Sequence, residues 1–422
     1  MGGRIALRTL ALAIAAGACS DLPNDTLHTD RPVTAEFAEV FRVGDMDPPD
    51  WAQFGTPPSL AFDGGGNLFV LNPDFPVVAV LDRDGGLVRT MGRRGRGPGE
   101  FSSPDDIYVW RDGTVAVADR GSGTYVVFAP DGSFDRQVSM SAGHVADYGV
   151  MAFRSGARPH PDAVALVARG MSNNVQEMFR RIELPNPTIG PRGLERLTLG
   201  SRGTTAEPIV KAGEVRAPAP GEATSGGTDE PRRFDPRLLF DVLPDGTVAY
   251  SDSAGYSIKL VAGDGAPIGT IARPIRPEPV TTEVEATVRD SAMADFERLY
   301  GDPGNPQGPD RAPPEIMAAM VAEMRADIEG MRFNHEIPVV VSVRATWEGG
   351  LWVRRRRDGD PWVGAVGVID VWSPDGRYVG TLPPDDPPMP DAFGPDGLAA
   401  WVELDELDVP TITVGRLPPG VR

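Results

Sequence analysis

Apolar residues in this chain come in short runs separated by turns of Gly, Pro, Asp and Asn, and the spacing of runs and turns repeats. Residues 97–132, GPGEFSSPDDIYVWRDGTVAVADRGSGTYVVFAPDG, show the unit. Apolar runs at 107–110 and 115–118 flank Asp112-Gly113, and a third at 125–128 ends at Asp131-Gly132. Asp-Gly between two such runs predicts a hairpin, with a type I′ turn and positive φ at both central residues. Gly113 is followed by Asp119 and Gly132 at fixed offsets, and Gly66 by Asn72 and Gly85, and Gly246 by Asp252 and Gly265, at the same two. Repeats of this kind, each too small to bury its own faces, build ring or solenoid architectures.

The chain reads as an all-β, six-bladed propeller, a seventh blade staying open, with blades near 57–101, 102–140, 143–200, 234–280, 335–386 and 389–422. The fifth unit keeps Gly350 and Pro374-Asp375-Gly376 with seven extra residues between them. The third is degenerate, with strands expected at 163–168 and 178–184, and the last is short by one strand. A lone alternating strand at 37–43, within residues 35–45, supplies the missing partner and closes the ring. Two segments depart from the repeat. Residues 201–233, rich in Gly, Pro, Thr and Ala, read as a flexible loop. Residues 281–333 place Val284, Val288, Ala292, Phe296 and Leu299, then Met317, Met320, Met324, Ile328 and Met331, at helical spacing, a helical hairpin whose second helix starts at Pro314.

Composition fits a ring. The 422 residues exceed one ordinary core, Gly 50 and Pro 43 make the chain dense in turns, and 41% hydrophobic residues suffice for a folded protein. Residues 1–18 carry Arg4 and Arg8 ahead of an apolar run too short to span a bilayer, the pattern of a secretory signal. Its removal takes two arginines and no acids, deepening the net charge from −19 to −21. Such a surface disfavours nucleic acid and anionic lipid as partners.

Two resemblances narrow the reading. Gly-x-Gly-Pro-Gly-Glu-Phe at Gly95 to Phe101, then Ser-Pro and Val-Ala-Asp at Val117 to Asp119, resembles the NHL-repeat family of β-propellers. Ala16-Gly17-Ala18 before the single cysteine, Cys19, resembles a bacterial lipobox, so the chain as a whole is similar to bacterial six-bladed propeller lipoproteins. This implies lipidation at Cys19, a tether over 19–34, and an extracytoplasmic fold held at a bacterial membrane. Some relatives are zinc-dependent lyases with histidines converging on the channel.

The chain holds no strong catalytic motif. Its histidines, His28, His144, His160 and His335, are scattered; His144 and His335 fall just before innermost strands, whereas Pro159-His160-Pro161 reads as a loop, and zinc catalysis needs three protein ligands. Asn72, Asp119 and Asp252 read as turn caps rather than a cation ring. Residues 354–357, four arginines, read as a solvated hairpin tip, and Arg93, Arg94 and Arg96 as surface beside a turn. The methionine stripe reads first as a packed face. Loops leading into the innermost strands should line the channel mouth, which nominates Asp105, Asp106, His144, Tyr148, Arg237, His335 and Arg344 for ligand binding, with Ser59, Asp147 and Asp391 beside them. Two functions stay open. One is a monomeric, non-catalytic scaffold binding a protein, peptide or glycan, without a cofactor; the other is a lyase or lactonase using Zn or Ca at the channel mouth.

Overall fold

The computed structural model describes residues 27–44, 48–141, 156–162, 164–170, 193–201, 203–210, 232–300, 314–357, 367–384, 387–405 and 408–422. Six four-stranded antiparallel sheets form the ring among them. Blade 1 comprises Ser59–Phe62, Leu68–Asn72, Val77–Leu81 and Leu87–Met91; blade 2 Pro104–Val109, Val115–Asp119, Thr124–Phe128 and Phe134–Ser139. Blade 3 comprises Arg158–His160, Ala165–Arg169, Leu194–Gly200 and Gly203–Val210; blade 4 Leu239–Val242, Val248–Ser251, Ser257–Val261 and Pro267–Ala272. Blade 5 comprises Val340–Ala345, Leu351–Arg355, Ile369–Trp372 and Tyr378–Leu382; blade 6 Ala392–Phe393, Leu398–Leu404, Pro410–Arg416 and, from the other end of the chain, Ala38–Val43. The first-named strand of each lies innermost.

The unbroken apolar runs follow from packing on both faces. In Leu68–Asn72, Leu68 and Val70 enter the seam with blade 6, while Phe69 and Leu71 enter the seam with blade 2. Alternate residues thus serve two different cores, so neither parity can be polar. The other seams repeat the device, with Tyr108 against Leu166, Val167 against Phe240, Ile258 against Val353, and Trp352 against Trp401. Each such side chain contributes about 1.5–3 kcal/mol on burial.

The hairpin turns differ from expectation in one respect. Gly85, Gly113 and Gly132 take positive φ, but their preceding aspartates do not. Pro130 fixes a negative φ, Gly132 N–H closes on Ala129 O at 2.8 Å, and Asp131 accepts Ser133 N–H at 2.9 Å. The geometry is therefore a type I turn followed by a left-handed glycine, which leaves a bulge between Val127 and Phe128.

The third blade also differs. Its outer strand, Gly203–Val210, lies within the segment read as a flexible loop, and its third strand is Leu194–Gly200; residues 178–184 and 211–231 fall outside the described residues. An outer strand is half solvated, so its polar residues and Pro208 break the apolar signal without breaking the strand.

Helix α1, Thr282–Tyr300, and helix α2, Pro314–Glu329, form the insert between blades 4 and 5. Its base closes where Glu278–Pro279 pairs with Glu336–Ile337. Val288 is buried there against Phe234 and Ile337, with Met331 and Phe333 at the edge. Phe296 is buried too, while Leu299 is exposed.

Closure occurs as expected. Ala38–Val43 pairs antiparallel with Pro410–Arg416, from Ala38 opposite Arg416 to Val43 opposite Ile412. Phe37 stacks on Trp401 with ring centroids 4.5 Å apart, and a Cβ on Gly415 would lie 2.2 Å from the Phe37 ring.

The segment read as a tether is bonded to the fold from Leu27 onward, while Cys19 and residues 20–26 fall outside the described residues. Thr381 N–H donates to Arg31 O at 2.7 Å and Val33 N–H to Thr381 O at 3.0 Å, a short parallel ladder on the outer strand of blade 5. Asp30 accepts from Arg273 Nη1 at 2.9 Å and Arg355 Nη2 at 2.6 Å. Behind them Asp370, fully enclosed, meets Arg273 Nη1 at 2.9 Å and Arg355 Nε at 3.2 Å, and Thr381 Oγ1 donates to it at 2.7 Å. Arg355 is thus not part of a solvated tip. Strand alternation sends it to the face of Leu351 and Val353, into the seam with blade 4.

Burial alone would raise the Asp30 carboxyl, yet Arg355 and Arg273 hold it below its ordinary value. Its stabilisation is therefore present above the ordinary carboxylate pKa of about 4 and is lost as pH falls through the depressed value. Asp370→Asn leaves two enclosed guanidiniums short of their counter-charge and should lower stability by about 3 kcal/mol in urea denaturation. Asp30→Asn, at an exposed site, should lower it by about 1 kcal/mol or less, and equal losses would refute this assignment of roles. Deleting residues 35–45 should lower the melting temperature of the whole ring in one cooperative step, read by circular dichroism; an unchanged melt would exclude the closure.

Candidate functional site

A sheet in this ring is covered on both faces, but the free edge of each innermost strand looks onto the axis, where no seventh sheet pairs with it. Polar side chains gather there. The six edges enclose a cavity of 410 Å³ that runs from the middle of the innermost strands to the first hairpins. Polar side chains from all six blades line it, among them Ser59, Asp106, Arg158, Asp241, Arg344 and Asp391 in ring order. From blade 2 to blade 6 their charges alternate in sign.

The wall is internally bonded. Ser59 Oγ donates to Asp106 Oδ1 at 2.5 Å, and Ile107 N–H donates to the same oxygen at 2.9 Å. Asp241 stands between two guanidiniums, with Arg158 Nε at 3.2 Å and Arg344 Nε at 3.3 Å, and it accepts the backbone N–H groups of Val242 at 2.8 Å and Ala345 at 3.0 Å. Arg344 Nη2 donates to Asp391 O at 2.7 Å, and Asp391 Oδ2 accepts Val402 N–H at 2.7 Å.

Burial shapes the acidities of this wall. It lowers the Arg344 guanidinium, with Arg158 repulsion adding and Asp241 opposing. Burial raises the Asp391 carboxyl against the opposing pull of the Val402 N–H and Arg344. Tyr108, beside Asp106, is pushed well above its ordinary value, chiefly by burial.

Blades 2 and 5 stand opposite each other in a ring of six. Arg111, on the first hairpin of blade 2, lies over the ring of Trp347, on the first hairpin of blade 5, with its Cζ 4.2 Å from the centroid. Its Nη2 donates to Trp347 O at 2.7 Å. This strut crosses the hairpin end of the channel.

Of the residues nominated from sequence, the structure brings Asp106, Arg344, Ser59 and Asp391 to the cavity wall. His144, Asp147 and Tyr148 fall outside the described residues. Asp105 is turned to the surface, paired with Arg120 at 2.7 Å, because a bulge separates its direction from that of Asp106. Arg237 is exposed on the lead into blade 4, and His335 is exposed beside the ladder that closes the helical insert. Neither lines the cavity, which begins further along the innermost strands than the loops that carry them.

His160, read as a loop residue, ends the innermost strand of blade 3 and is buried. Its Nδ1 accepts Asp162 N–H at 3.2 Å, and its ring packs on Gly246 and Gly263 of blade 4. Burial, helped by Arg196, lowers its pKa and favours the neutral ring. Arg158, Asp241, Arg111 and Trp347 escaped the sequence reading. Asp241, a lone acid inside the apolar stretch Leu238 to Leu243, was the available signal.

The recurrent position behaves as expected at two blades. Asn72 Oδ1 accepts the N–H groups of Asp74 and Phe75, and Asp119 those of Ser102 and Ser103, while Asp252 instead pairs with Lys259 at 2.8 Å. In Gly95 to Phe101, Glu100 accepts Gly97 N–H and pairs with Arg93 at 2.7 Å, while Phe101 is wholly buried, so the motif is a blade connector. Among the described residues, no three His, Cys, Asp or Glu side chains converge as metal ligands would.

No family profile matches the chain, and no curated protein matches it in sequence. Among solved structures, it is similar to a protein from Bacteroides fragilis described as exported, at 11% identity over 93% of this chain and 98% of that one, with a TM-score of 0.48. A member of the DUF4221 family from Bacteroides vulgatus is similar at 10% identity over 92% and 99%, with a TM-score of 0.49. A streptogramin B lyase is similar at 9% identity over 91% and 98%, with a TM-score of 0.38. The fold rests on the six four-stranded sheets described above: the chain is a six-bladed β-propeller.

Proposed function

We propose that this propeller is an extracytoplasmic, membrane-anchored binding protein of the NHL-repeat lipoprotein kind, which holds a protein, peptide or glycan at its axial channel without converting it. The observation that carries this reading is the channel wall itself. Its acids and bases are already engaged with one another or with backbone N–H groups, an arrangement suited to orienting a polar ligand rather than moving a proton. Ser59 donates to Asp106, and His160, which lines the same cavity, has its ring packed on Gly246 and Gly263 of blade 4. The sequence of residues 1–19 supports export and lipid attachment. The helical insert offers a second surface beside the ring.

Metabolic labelling with a lipid precursor should mark the wild type and not Cys19→Ser; equal labelling would refute the anchor. Crosslinking and capture from membranes should recover a specific partner with the wild type. Recovery should fall several-fold for Arg344→Gln if the channel is the site, or for deletion of residues 282–333 if the insert is. A captured ligand that leaves chemically altered would overturn the non-catalytic reading.

A further inference from the structure

The channel is polar along its length as well as around its circumference. Measured from the last residue of each innermost strand, Asp106 stands three residues before Val109, Arg158 two before His160, Asp391 two before Phe393, and Arg344 one before Ala345. Arg158 and Asp391 therefore share one level, while Asp106 lies toward the strand start, Arg344 toward the hairpin, and Arg111 beyond it at the hairpin end. Asp241 does not alter this, because two guanidiniums share it.

Opposite blades also carry opposite charge. Asp106 on blade 2 faces Arg344 on blade 5, and Arg158 on blade 3 faces Asp391 on blade 6, yet neither pair is joined by an ion pair among the described residues. The Arg111 to Trp347 contact shows that blades 2 and 5 approach within side-chain reach across the axis. Each diameter is thus an open dipole awaiting a bridging group. The bonding capacity left over agrees: one oxygen of Asp106 is free of the Ser59 and Ile107 donors.

We infer that the channel receives a small zwitterion, a free amino acid or a short peptide with both termini free, its ammonium on Asp106 and Asp391 and its carboxylate on Arg344 and Arg158. This deepens the proposed binding function and rests on it. The axial offset between Asp106 and Arg344 is two residues, about 7 Å at the rise of a strand. An extended dipeptide places its termini about 7 Å apart, and a cavity of 410 Å³ accommodates it. A uniformly anionic or cationic ligand would meet repulsion on one side of every diameter.

The test is a thermal-shift and calorimetric screen of the mature protein against the free amino acids and a library of unmodified dipeptides, with N-acetyl and C-amide forms of every hit. Unmodified hits should bind at least tenfold more tightly than either capped form. Asp106→Asn should remove the preference for a free amino terminus while leaving the preference for a free carboxylate, and Arg344→Gln should do the reverse. Should Arg344→Gln fail to fold, Asp106→Asn alone decides. Hits that bind equally well when capped, or a library without a hit, would overturn the zwitterion. Capture of a protein or glycan from membranes that is insensitive to Asp106→Asn would overturn it too, leaving the binding function standing.

Discussion

The structure depends on the need to cover both faces of every sheet. A blade's second and third strands bury residues of both parities, so each blade is stable only between two neighbours, and the first and last blades must meet. Closure by Ala38–Val43 is therefore a requirement of the packing rather than an addition to it. It also explains where the chain tolerates novelty. The helices, for instance, enter between blades 4 and 5, at a connection, and bury a small cluster around Val288 at their base.

The same constraint decides what the sequence discloses. Turns and fully buried strands are local: Asp131-Gly132, or the run at 125–128, can be read without knowing the partner blade. So can α1 and α2, whose apolar spacing is set by their own geometry. What stays hidden depends on neighbours far along the chain. Gly203–Val210 is half solvated and carries Pro208, so it lacks the apolar signature of the strands beside it. Arg355 looks like surface until Asp30 and Asp370 are brought to it from 325 and 15 residues away. In the channel, Asp106 was legible because it sits near the start of its strand, and Arg344 was nominated with it although it stands one residue from the end of its own, whereas Arg158 in Arg-Pro-His-Pro resembled a loop. The signs of the wall alternate only once the ring is closed, a relation no linear pattern contains.

At the axis the packing rule lapses. Six free strand edges meet there, and charged side chains take the role that a further sheet would otherwise play. Buried arginines and acids contribute little stability compared with apolar packing of similar volume. Under the proposed function their presence at the channel serves recognition, whereas the buried charges of Asp370, Arg273 and Arg355 in the seam between blades 4 and 5 serve one another.

Under the proposed anchoring at the N-terminus, the clamp on Asp30 has a mechanical meaning. A pull on that end is loaded first onto the Asp30 ion pairs and the ladder at Thr381, where the segment lies along blade 5 and must be sheared loose. Only afterwards would tension reach Ala38–Val43, whose loss would open the ring. The clamp works as strain relief does on a cord: jolts at the attachment are taken up by blade 5 before they reach the seam on which the whole circle depends.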